Sequence, residues 1–381
     1  MVTHRARSVV LQFDPAADVL RSGKRLSEGI SAAVAVGDAL WLAHDETVAV
    51  ERLVLRGGRR GAMRYAGHRR FDLCDLLSLP MPGRGAGDDA APEADVEGLS
   101  FADGCLWVAG SHSARRRAVE GAGREAIAAL ARVERAGNRF LLARIPVARD
   151  DAGPTLARRC RTGDGRVLRA AKLRGGRRND DLTRALRDDP HLGPFLGIPS
   201  KDNGFDIEGL AAAPGGRLFV GLRGPVLDGW ACVLEIRVDE PTQRTLALRA
   251  IARPARGSSK RAPYRKHFLD LGGAGVRDLC FAGRDLLVLS GPPMRGKGRS
   301  RVHRWKNALG ARGERMLGEH DLPVVLDLPY RKHEDHAEAI TVVARRGTEA
   351  RVMVIHDSAA KHRRVPPAGL RATIHALSLA G

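Results

Sequence analysis

A short pattern, an acid followed by a small residue and an aliphatic one, recurs along this chain at intervals that suit a ring. It reads S-E-G-I at 27–30, D-V-E-G-L at 95–99, D-I-E-G-L at 206–210 and H-A-E-A-I at 336–340. G-V-R-D-L at 275–279 has the same shape with Arg277 in the acid's slot. Aligned on Glu28, Glu97, Glu208, Arg277 and Glu338, the spacings are 69, 111, 69 and 61 residues. The 43 residues after Glu338 and the 28 up to Glu28 make one more period of 71. An open solenoid has no reason to show that closing period, whereas a ring whose first and last segments share a unit requires it.

Each unit repeats one internal order. After the slot comes an apolar strand, then a Gly- or Asp-containing turn, then a second apolar strand, as in L-S-F-A, D-G, C-L-W-V-A at 99–109. Short Gly/Asp loops between apolar runs are hairpin signals. Third strands are expected at 47–55, 129–133, 231–238, 301–305 and 372–377, and fourth strands within 71–79, 140–147 and 266–271. The last unit takes its fourth strand from V-V-L-Q-F at 9–13. Four antiparallel strands per repeat in a circle define an all-β β-propeller, here with five blades, or six if the long second period hides another. We read residues 1–381 as a single propeller domain, with 150–202 as a loop and helix insertion between blades two and three. N-D-D-L-T-R-A-L-R-D-D-P at 179–190 is expected to form one short helix, capped by Asp180 or Asp181 and stopped before Pro190.

In a propeller the innermost strand of each blade lines the central channel, so the slot residues should converge at one mouth. The loops after the second strands return to that rim and bring His112, Arg115–Arg117, Arg223, His356 and Asp357 with them. Four glutamates around a narrow channel repel one another. Protonation, a cation between them or pairing with Arg223 and Arg277 would each relieve this, and a hard cation such as Ca²⁺ accepts several carboxylates in flexible geometry. The expected metal ligands are therefore Glu28, Glu97, Glu208 and Glu338. Arg223, Arg277, His112, His356 and Asp357 are the expected binding residues. Glu97 or Glu208 is the expected general base if not a ligand.

Composition narrows the rest. Hydrophobic residues at 43% can fill a core, and the formal net charge of +20 comes almost entirely from arginine. Such a field favours anionic ligands, although a basic surface alone bears on solubility as much as on partners. Aromatic residues at 4%, and the lack of any helix-turn-helix or zinc-finger pattern, weigh against nucleic acid but leave it open. No apolar run reaches the length of a membrane helix, and the basic N-terminus lacks the apolar stretch of a signal peptide. The five cysteines form no C-x-x-C pair and suggest neither disulfides nor zinc, so a reducing cytoplasm is expected. The G-x-S-x-G, Walker, H-E-x-x-H and dinucleotide patterns are absent. Oligomeric state is not legible.

The segments K-D-N-G-F-D-I-E-G-L (201–210), G-L-R-G-P-V-L-D-G-W-A (221–231), F-L-D-L-G-G-A-G-V-R-D-L (268–279), S-G-P-P-M (290–294), D-H-A-E-A-I (335–340) and H-D-S (356–358) resemble a bacterial family known as a domain of unknown function and predicted to be a β-propeller. That resemblance implies the fold and brings no activity with it. The slot acids are also distantly similar to those of five-bladed calcium-dependent nucleotidases, and phytase-like propellers offer a parallel. The nucleotidase resemblance implies Ca²⁺ held by Glu28, Glu97, Glu208 and Glu338, with Arg277 departing from the pattern. The resulting expectation is cation-assisted hydrolysis of a phosphate ester or anhydride. The alternative is a non-catalytic propeller that binds an acidic ligand or protein through its Arg-rich mouth.

Overall fold

The structure is a computed structural model that describes residues 6–20, 22–57, 63–81, 93–116, 121–251, 262–294, 298–329 and 335–380. Its strands group into five antiparallel sets of four. Blade one is Ile30–Val36, Ala39–His44, Ala49–Gly57 and Met63–Asp72, in that order from the axis outward. Blade two is Val96–Ala102, Cys105–Gly110, Leu142–Asp150 and the short Ala171–Leu173. Blade three is Asp206–Ala213, Arg217–Gly224, Trp230–Thr242 and Tyr264–Asp270. Blade four is Gly275–Ala282, Asp285–Gly291, Arg301–Trp305 and Val324–Asp327. Blade five is His336–Arg346, Glu349–Asp357 and Gly369–Ser378, completed by Arg7–Gln12 from the other end of the chain.

The ring closes on itself. Each inner strand packs against the inner strand of the next blade, and that of blade five against that of blade one. The hydrophobic core follows the same cycle, because both faces of every blade are covered. Leu40 and Leu42 point into a cluster shared with Met353 and Ile355 of blade five. Trp41 and Ala43, between them in sequence, point the other way, into a cluster with Leu106 and Val108 of blade two. Blade four repeats this, with Leu286 and Val288 facing blade three and Leu287 and Leu289 facing blade five. Alternate side chains leave opposite faces of a strand. A blade packed on both sides therefore needs apolar residues at every position, which is why these strands read as continuous apolar runs.

Two rim pairings stitch blades together. Arg7–Gln12 pairs in parallel with the outer strand of blade one through Val10 and Leu11. Ala171–Leu173 does the same with Thr245–Leu248, a short strand that pairs with the third strand of blade three. Gly98 marks how closely inner strands approach, since a Cβ there would stand 2.7 Å from the Leu210 Cβ.

Two expectations about blade two need correction. A-L-A-R-V at 129–133 is not its third strand. The alanine-rich Arg124–Leu130 forms a helix, as alanine favours, and the third strand is Leu142–Asp150. Residues 150–202 also supply more than a loop and helix, because they contain the blade's outer strand, Ala171–Leu173. The helix itself is present at Asp181–Leu186. Asp180 caps it through the Thr183 N–H at 2.9 Å.

Candidate functional site: the channel mouth

Every inner strand carries an irregularity in its pairing near its start. The register shifts fall across Ser31, Glu97, Glu208, Arg277 and Glu338. A bulge leaves one residue out of the ladder and re-aims its side chain. This local device turns one side chain per blade toward the axis. It also corrects the register of blade one, where the slot is Ser31 and not Glu28. Glu28 lies in a 3₁₀ turn ahead of the strand and pairs with Arg364 at 3.1 Å. Ser31 donates from Oγ to the Val96 carbonyl at 2.6 Å, tying blade one to blade two.

The other four slot residues meet in a cavity of about 600 Å³ lined by nine acidic and seven basic side chains. Arg277 bridges the ring, with Nη1 2.9 Å from Glu208 Oε2 and Nη2 on Glu338 Oε1. Arg223 sits between Asp206 Oδ2, at 2.5 Å, and Glu208 Oε1. Arg139 reaches Asp95 at 2.9 Å and Glu93 at 2.6 Å. The contacts at Asp206 Oδ2 and Glu208 Oε2 are charge contacts without hydrogen-bond alignment. Glu97 differs from the other acids of the ring. It touches no hydrogen-bond or ion-pair partner among the described residues and keeps partial exposure to the cavity.

Burial dominates the protonation of this ring. It pushes Asp95 and Asp206 up to about 6 against the pull of Arg139 and Arg223 respectively. Glu208 rises to about 7 although two guanidinium groups oppose the change. Glu97 lies well above the carboxylate range, through burial first and then the charges of Asp95 and Glu208. Glu338 and Asp357 are also raised, chiefly by burial.

A divalent cation fits this donor set poorly. Both Glu208 oxygens and one Glu338 oxygen face guanidinium groups, which a cation would have to displace. Among the described residues no three His, Cys, Asp or Glu side chains gather as a metal ion needs.

The remaining expected residues divide. Asp357 lines the mouth. Its neighbour His356 is buried among the strands, with Nδ1 unpartnered, and burial lowers its pKa to about 3, so the ring is neutral. His112 stands behind the mouth. It holds Asp180 through Nε2 at 2.7 Å and the Gly110 carbonyl through Nδ1 at 2.9 Å. Burial works against its charge, but the Asp180 carboxylate prevails and its pKa is raised. Arg115 and Arg116 line the mouth, while Arg117 lies outside the described residues. Asp95 and Asp206 were not anticipated, although D-V-E and D-I-E place an acid two residues before the slot in both units. Arg139 gave no such signal, since it enters from the irregular segment between the second and third strands of blade two.

Comparison with known structures returns proteins of several activities at low similarity. Glutaminyl cyclase from Myxococcus xanthus shares 10% identity over 97% of this chain and 98% of its own, with a TM-score of 0.35. A putative oxidoreductase (glucose dehydrogenase) from Thermus thermophilus shares 13%, over 92% and 97%, at 0.35. An exo-1,5-α-L-arabinanase from a bovine ruminal metagenomic library shares 10%, over 91% and 90%, also at 0.35. No curated protein matches the chain. The model of one family, described as a protein of unknown function (DUF3616), matches residues 29–372, and the chain belongs to that family.

Proposed function

We infer that the channel mouth is a metal-free acid–base site, in which Glu97 transfers a proton to a small anionic substrate. The observation that carries this reading is the isolation of Glu97. It is the one slot acid facing the cavity without a guanidinium partner among the described residues, and burial holds it protonated. Its role is then that of a general acid, not the general base or metal ligand that its position in the sequence suggested. Glu208 suits that role less well, because Arg223 and Arg277 occupy both of its oxygens.

Raised carboxyl pKa values lower the negative charge of a lining that holds nine acids and seven bases, and the arginines at its rim supply contacts for an anionic substrate. Arg115 and Arg116 are 41% and 29% exposed, so their forks can turn from their present partners to a phosphoryl group. Hydrolysis of a phosphate ester or anhydride is the reaction class we favour, with Glu97 protonating the leaving oxygen. The test is phosphate release from nucleotides, phytate and an aryl phosphate by the purified protein, with and without chelator. We expect chelator-insensitive turnover that falls about a hundredfold or more in Glu97→Gln. Turnover that survives in Glu97→Gln, or that vanishes with chelator, defeats the reading. The exposed arginines at the mouth also favour a second reading, in which it binds an acidic partner without turnover. Salt-sensitive binding with no phosphate release from any substrate would select it.

A further inference from the structure

A larger cavity lies away from the mouth and shares no lining residue with it. It encloses about 1290 Å³ between the third and outer strands of blade three, the 309–314 loop and residues 188–190. Its floor is a set of satisfied charges. Glu235, fully buried, accepts from Arg217 Nε at 2.9 Å and Arg265 Nη1 at 3.1 Å, with His267 Nε2 at 3.2 Å. Asp189 accepts from Lys266 Nζ at 2.6 Å and from the Tyr264 hydroxyl at 2.8 Å. Arg217 also donates to the Leu309 carbonyl at 2.6 Å, which fastens the loop over the cavity to the blade. The frame is therefore braced without any ligand.

Three cations remain after this accounting. Arg237, Arg284 and Arg312 line the cavity and have no carboxylate partner among the described residues. Among the described residues Arg284 donates only to the Asn307 side-chain oxygen, at 2.8 Å. Asp188 and Glu314 are the lining acids without a cationic partner among the described residues, and six basic against four acidic side chains leave a surplus of two positive charges. Guanidinium forks on a fixed frame match phosphate oxygens in geometry as well as charge. The one aromatic residue of the lining, Tyr264, is 8% exposed and committed to Asp189, so no ring face is offered to a base. We propose that this cavity is a binding site for a compact polyanion carrying two or more phosphate groups and no aromatic ring.

The test uses the full chain and inorganic tripolyphosphate, titrated calorimetrically at physiological ionic strength. Saturable binding is expected, weakened about tenfold or more in Arg237→Ala/Arg312→Ala and in Arg284→Ala/Arg312→Ala, since each pair loses two charge-assisted contacts. Arg284 and Arg312 are exposed, so the second pair reads the site without burdening the fold. Arg159→Ala/Arg161→Ala removes the same charge from an exposed hairpin elsewhere and should change binding less than about twofold. The proposal is overturned by absent or non-saturable binding, or by a loss in the charge-matched control equal to that in either cavity pair.

Discussion

Replacing Arg277 with Met should cost the protein more as the pH rises. Arg277 holds two carboxylates at once, Glu208 Oε2 and Glu338 Oε1, across the middle of the ring. Removing one member of a buried ion pair costs about 3–5 kcal/mol, because the other is left as an uncompensated charge. The lower end applies here, since Glu208 keeps Arg223 and the cavity admits water, so we expect about 3 kcal/mol. With an unfolding entropy of about 2.1 cal/mol/K per residue, that loss lowers the melting temperature by about 4 °C. The pH dependence is the sharper part. Glu208 and Glu338 already titrate above their ordinary value of 4.5, and losing Arg277 raises both further. A carboxyl raised in the folded state contributes stability that is whole below its unfolded value and is lost as pH climbs through its folded value. In acid the folded variant holds more protons on these two carboxyls and the deficit should shrink, whereas it should grow as the pH climbs through and above neutrality. Thermal melts of parent and variant in acid and above neutrality make the comparison. An equal deficit at both, or a larger one in acid, would refute the view that Arg277 neutralises the ring.

Three further perturbations separate the roles of the parts. Glu97→Gln replaces a carboxyl held protonated by burial with a group that needs no proton, so chemical denaturation near pH 8 should show a gain of about 1–2 kcal/mol while turnover is lost; a destabilised variant would mean that Glu97 is a paired structural acid. His112→Ala strips the buried Asp180 of its imidazole partner and should cost about 3 kcal/mol, with ligand affinity at the mouth unchanged in a titration; an affinity loss without a stability loss would return His112 to the site. Gly98→Ala drives a Cβ to 2.7 Å from Leu210 between blades two and three. Overpacking of that kind costs about 1–3 kcal/mol, so a variant melting with the parent would show that the inner strands are looser than they stand.

The architecture was legible because two kinds of information are local. Apolar runs punctuated by Gly and Asp mark hairpins wherever they occur, and the slot motif marks where each unit begins. Their spacing carried the circular order, including the N-terminal strand that completes blade five. Blade two was the hardest to read. Its third strand lies beyond an inserted helix, and its outer strand is only three residues long, with no period to reveal it. The slot in blade one was misplaced by three residues for a related reason. S-E-G-I satisfies the motif, but the position of a bulge depends on which residues the neighbouring strand pairs, and Ser31 has no chemical likeness to the acids it aligns with.

The amino-acid order by itself determined that acids from distant segments converge on one axis, because repeated sheets leave their equivalent residues no other place. It left open how the repulsion among those acids is relieved. Three-dimensional packing decided that. Arg277 and Arg223 reach across from blades four and three to cross-link Asp206, Glu208 and Glu338, Arg139 arrives from an irregular loop to hold Asp95, and Glu97 is left unpaired among the described residues. Which acid keeps its proton depends on burial and on guanidinium groups many residues away. Electrostatics in a desolvated pocket is a property of distances through space, and the spacing of a motif along the chain does not contain them.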